Sequence, residues 1–132
     1  MGELTIRKDS ELVELLHKQN SLGELEKPFE RDILLFDTVV AGTSHVDGIL
    51  EIASGLHEGD RLEFVREPEN TYDDKAIRVE TADQVKIGYV PREDNIVFSR
   101  LMDAGKLLFG KVSSLIVHGK WVRIEMGIYL HE

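Results

Sequence analysis

Within five positions the chain places Asn70, Tyr72, Asp73 and Asp74. These are an amide, a phenol and two carboxylates, on a loop rich in the residues that make turns. Three kinds of chemistry fit them. Paired carboxylates can hold Mg²⁺ for phosphodiester hydrolysis. Neighbouring residues on an extended loop point apart, however, and the lysine usual beside such acids is supplied only loosely by Lys75 or Lys86. Alternatively, Asn70 and Asp73 bond their own backbone and brace the loop, with Tyr72 packed inward and its hydroxyl satisfied. In the third reading they edge a binding pocket.

Other residues carry the same double meaning. Tyr89 is either a half-exposed ring at a strand end or part of a pocket wall. Arg92 is either a solvated side chain or a phosphate contact. Trp121 beside Lys120 and Arg123 either covers the end of a barrel or offers a stacking surface. There is no phosphate-cradling glycine loop with lysine, no HExxH and no GxSxG. With no cysteine, thiolate chemistry and disulfides are excluded. The five histidines show no metal-ligand spacing, so we expect no metal site, no cofactor and no catalysis.

The elements that must position these groups read mainly as strands. Residues 1–32 form a separate piece: Ser10 caps a helix whose Leu12, Leu15 and Leu16 share one stripe, and a charged linker follows. From Ile33 the strand pattern begins, with Ile33–Phe36 and Thr38–Ala41 as one strand or a bent pair. The stretch 47–59 has helical spacing but three glycines, enough for a turn or two. Leu62 and Phe64 alternate with Arg61 and Glu63, and Ala82-Asp83-Gln84 joins two further strands as a hairpin. Pro91 is expected to begin a helix with Ile96, Val97, Leu101 and Met102 on its apolar face, stopped at Gly105. Two last strands meet at His118-Gly119. The expected fold is mainly β: a small OB-like barrel of about six strands with one central helix over residues 33–132, plus the N-terminal helical extension.

Charge bounds the partners. The formal net charge is −9, against the basic face usual in duplex binders. Residues 33–74 hold ten acids against Arg61 and Arg66, whereas residues 75–132 hold nine bases against seven acids. Any contact with nucleic acid must therefore draw its cations from the second half. No apolar run is long enough to span a bilayer, and the charged N-terminus does not read as a signal peptide, so a cytoplasmic location is expected.

The run from Arg66 to Val79, Arg-Glu-Pro, then Asn, then Tyr-Asp, then Ala-Ile, resembles the signature of the HIRAN domain. Its flanks agree: Val40-Ala41-Gly42 ahead, and Ile87-Gly88-Tyr89-Val90-Pro91, Leu101–Gly105 and Gly110-Lys111-Val112 behind. The resemblance covers roughly Leu34 to Tyr129. It implies an OB-like barrel, found in fork-remodelling helicase-like translocases and as a stand-alone module, that grips a DNA 3′ end and its free hydroxyl. By that resemblance Tyr72 stacks on or flanks the terminal nucleotide and Asp73 accepts from the 3′-hydroxyl. Asn70 shapes the loop or bonds a base edge, Tyr89 walls the pocket and Arg92 meets a phosphate. In the loop after the first strand, Ser44 and His45 stand where the translocases offer an arginine and consecutive aromatics, and only His45 can stack.

The physics suits the task. Base–aromatic stacking holds roughly 1–3 kcal/mol per base without reading sequence. A carboxylate selects a free hydroxyl over a continuing phosphodiester. The leading expectation is a nucleic-acid-binding module for single-stranded DNA or 3′ ends, acting in repair or at stalled replication forks. The rival is a protein-interaction module that has kept the fold and lost the pocket, using the acidic half and the N-terminal helix. A metal-dependent nuclease is third.

Overall fold

In a computed structural model, residues 31–132 are described. The expected N-terminal helix lies outside the described residues. Among the described residues no helix is long and apolar enough to cross a membrane.

Six strands form one antiparallel sheet: β1 (Asp32–Val39), β2 (Arg61–Arg66), β3 (Ile77–Thr81), β4 (Lys86–Tyr89), β5 (Leu107–His118) and β6 (Trp121–His131). Their spatial order is β1-β6-β5-β2-β3-β4. The sheet curls into a half-barrel because alternate residues are apolar and turn to one side. Leu62 and Phe64 on β2, Ile77 and Val79 on β3, and Val122, Ile124, Met126 and Ile128 on β6 are all buried in a single core. The bent first strand is one strand, with a register irregularity between Leu34 and Phe36 against β6.

After β1 comes a 3₁₀ turn, Thr43–His45, and within the stretch 47–59 a short helix α1, Ile49–Ser54, buries Ile49 and Ala53. The β5–β6 turn is the residue pair Gly119-Lys120, since His118 pairs with Trp121. Gly119 supplies the positive φ of +57°.

The second helix corrects two expectations. It runs over α2, Asn95–Asp103, and does not begin at Pro91. Asp94 N–H donates to the Pro91 carbonyl at 2.9 Å, which makes residues 91–94 a turn. The buried face consists of Asn95, Phe98 and Ser99, with Leu101 and Met102 packed against the core. Ile96 and Val97, expected inside, are exposed. Asn95, Phe98, Ser99 and Met102 form the i, i+3, i+4, i+7 stripe that faces the core, and Ile96 and Val97 lie off it.

The curl brings the edge strands together at one corner. Just past β1, Ala41 N–H donates to the Tyr89 carbonyl at 2.8 Å, and Tyr89 N–H returns a bond to the Ala41 carbonyl at 2.9 Å. This bridge needs a glycine beside it. A Cβ on Gly88 would lie 2.3 Å from the Ala41 carbonyl oxygen and 2.7 Å from Val40 Cγ1.

Candidate functional site

The loop from Arg66 to Ala76 is held at both ends by its own charged residues. Arg66 donates through Nη1 to the Ala76 carbonyl at 2.8 Å and through Nη2 to the Asp74 carbonyl at 3.1 Å. The same guanidinium makes a two-pronged pair with Asp103 at the end of α2, at 2.9 and 3.2 Å. Glu67 collects three donors: Tyr89 Oη and Asn70 Nδ2 on Oε1, each at 2.9 Å, and Arg78 Nη1 on Oε2 at 2.6 Å. Partial burial pushes the Glu67 carboxyl upward, but these three bonds and the Arg78 charge outweigh it and hold the group below the usual range.

Inside the loop Asn70 acts as the brace. Its Oδ1 accepts from Tyr72 N–H at 2.8 Å and Asp73 N–H at 3.1 Å. With Nδ2 on Glu67, this amide shapes the loop and keeps a second N–H beyond that bond. Turning the backbone this way projects Tyr72 into solvent, where it is 88 % exposed. The inward-packed reading of Tyr72 is thereby excluded. Burying an apolar ring is the default, and here the brace at Asn70 overrides it.

Asp73 turns the other way. Its Oδ1 accepts from Lys75 N–H at 2.9 Å, and its Oδ2 accepts from Asn95 Nδ2 at 2.8 Å. The Asn95 bond first, then the Lys75 amide and the Arg92 charge, hold the Asp73 carboxyl below the usual range. Asp74, by contrast, faces Lys75 Nζ at 3.7 Å. The two neighbouring carboxylates thus meet different ends of Lys75, and only Asp73 reaches Asn95. Among the described residues no group of three or more potential ligands stands close enough to hold a metal ion.

Between this loop and the Ala41–Tyr89 corner lies an open pocket of about 300 Å³. Asn70, Tyr72, Asp73, Tyr89 and Arg92 all line it, joined by Ala41, Gly42, Ala76, Val90 and Asn95. Arg92 reaches across the rim: Nη2 donates to the Tyr72 carbonyl at 3.3 Å, and Nε lies 3.7 Å from Asp73 Oδ2. Its side chain nonetheless remains 76 % exposed. One face of the Tyr89 ring is covered by Lys86 Nζ, 4.7 Å from the ring centroid.

Ser44 and His45 are exposed on the 3₁₀ turn that follows Gly42, but neither lines the pocket. Trp121 does not line it either; it is half-exposed, its ring 5.9 Å from that of His118. Asn95 was missed by sequence reasoning. Its only trace there was a polar residue among the apolar ones of the α2 segment, at the very start of the true helix. The arrangement offers an exposed ring, an ionised acceptor and an exposed cation around a small apolar floor.

Comparison with known proteins adds the following. The family profile described as HIRAN domain matches residues 33–132. The crystal structure of a protein from Lactobacillus plantarum is similar at 32 % identity and a TM-score of 0.72, over 78 % of this chain and 98 % of that one. The crystal structure of the HIRAN domain of human HLTF is similar at 17 % identity and a TM-score of 0.60, over 76 % of this chain and 78 % of that one. At that identity the likeness is one of fold. No curated protein matches the chain.

Proposed function

The chain belongs to the HIRAN domain family, and from that premise we propose that it is a reader of single-stranded DNA with a free 3′ end, without catalysis of its own. The family's domain is a nucleic-acid-binding fold. One observation supports the finer reading: a single pocket gathers the exposed ring of Tyr72, the ionised Asp73 and the exposed Arg92. A terminal nucleotide has the complementary parts, a base to stack, a hydroxyl to donate and a phosphate behind it. Asp73 retains a lone pair on each oxygen after its two bonds, so it can accept a hydroxyl proton without losing its support. A 3′-phosphate meets repulsion there.

A second reading, a protein-docking module, is favoured by the exposed apolar residues Leu34, Leu35 and Phe36 on the edge strand β1. Fluorescence anisotropy with 5′-labelled oligonucleotides bearing free or phosphorylated 3′ ends separates the two. Preference for the free end that disappears in Asp73→Asn supports end reading. No binding of either oligonucleotide at low salt sinks it in favour of docking.

A further inference from the structure

The pocket wall includes an amide that a deoxyribose terminus leaves unused. Asn95 lines the pocket and is only 2 % exposed. The neighbouring carboxylate fixes the sense of its amide, because a carboxylate accepts and repels another oxygen. Nδ2 therefore faces Asp73 Oδ2, at 2.8 Å. Oδ1 faces away from Asp73, and among the described residues no hydrogen bond reaches it. A buried carbonyl oxygen without a donor is costly, and a ligand that expels water from the pocket makes the deficit permanent unless it brings a donor.

Asp73 and Asn95 thus hold two kinds of acceptor, a carboxylate and an amide oxygen, on side chains joined by one hydrogen bond. A lone 3′-hydroxyl can satisfy only the first. A ribose carries hydroxyls on adjacent carbons, both donors, on the same face of the ring. The 2′-hydroxyl is also the group by which a protein tells RNA from DNA at a given site. A site built around a hydroxyl rejects the analogue that lacks it, because its own buried partner is stranded.

Resting on the end-reading function above, we propose that Asn95 Oδ1 and the Asp73 carboxylate together read the cis-diol of a 3′-terminal ribonucleotide. Asp73 takes the 3′-hydroxyl and Asn95 Oδ1 takes the 2′-hydroxyl. The Tyr72 ring and Arg92 hold the terminal base and its phosphate, as they do for a deoxyribose end. The preferred ligand is a strand whose last sugar is ribose.

Four 5′-fluorescein oligonucleotides of one sequence test this with the full chain. They differ only in the last residue: deoxyribose, ribose, 2′-O-methylribose or a deoxyribose 3′-phosphate. The ribose end is expected to bind about tenfold more tightly than the deoxyribose end, the size of one hydrogen bond that relieves a buried acceptor. The 2′-O-methyl end, which has no donor, is expected to lose that gain, and Asn95→Leu to abolish the ribose preference. Equal affinity for ribose and deoxyribose ends, both favoured over the 3′-phosphate, overturns the ribose inference and leaves end reading intact. So does a 2′-O-methyl end as tight as ribose. Absence of binding to all four probes overturns both. The probe series on the unaltered chain decides the question even if the Asn95 variant fails to fold.

Discussion

The Tyr89 hydroxyl donates to Glu67 Oε1 at 2.9 Å, tying the strand that walls the pocket to the loop that rims it. Glu67 keeps Asn70 and Arg78 when that bond is removed. Tyr89→Phe is therefore expected to lower stability by only about 1 kcal/mol, the net worth of one hydrogen bond. The ring remains, so binding of a terminal nucleotide should change less than threefold, which corresponds to about 0.6 kcal/mol. Urea unfolding and anisotropy on the same preparation check the two halves.

Gly88→Ala should behave in the opposite way. The added methyl meets backbone at Ala41 and the Val40 side chain, and neither is the free end of a flexible group. The Ala41–Tyr89 bridge must open or shift. A loss of about 3 kcal/mol is expected, at the upper end for overpacking. Binding should fail together with the urea midpoint, whereas Tyr89→Phe separates them.

Arg92→Ala isolates electrostatics. The side chain is mostly solvated, so stability should move by less than about 0.5 kcal/mol. Binding of single-stranded DNA should weaken, and the slope of log affinity against log salt should become shallower by roughly 0.7, the value for one phosphate contact on a single strand. Affinity measured from 20 to 200 mM salt in both proteins gives the slopes. Equal slopes would remove Arg92 from the interface.

Asp73 contributes to the acid sensitivity of the fold. Its carboxyl is held below the ordinary value in the fold, first by Asn95, then by the Lys75 amide. A depressed folded value contributes stability that is fully present above the unfolded value, about 3.9. That contribution is lost as pH falls through the lowered folded value. Wild-type stability should therefore drop more steeply than that of Asp73→Asn between pH 5 and pH 2. End preference should persist at pH 5, where the carboxylate is still ionised. Urea midpoints and anisotropy across that range provide the check.

Much of this was legible in the chain because it is local. The strand alternation at Leu62 and Phe64 predicted the buried face of β2 correctly. The six-stranded OB-like architecture with one main helix followed from the strand pattern and the Arg66–Val79 run. Asn70, Tyr72, Asp73, Tyr89 and Arg92, named from the sequence, all line one pocket. Asn95 was illegible because its value depends on a partner twenty-two positions away and on where α2 starts. Pro91 suggested the wrong start, since a proline that opens a turn and one that opens a helix look alike until the Asp94 bond is seen. Ser44 and His45 were placed by analogy with a loop that here turns through a 3₁₀ segment outside the pocket.

The Ala41–Tyr89 bridge gives the half-barrel its latch, and both of its residues line the pocket. A ligand seated there spans the seam like a staple, so occupancy and seam opening must oppose each other. Bound DNA should slow hydrogen exchange at the Ala41 and Tyr89 amides well beyond its effect on the β5–β6 ribbon.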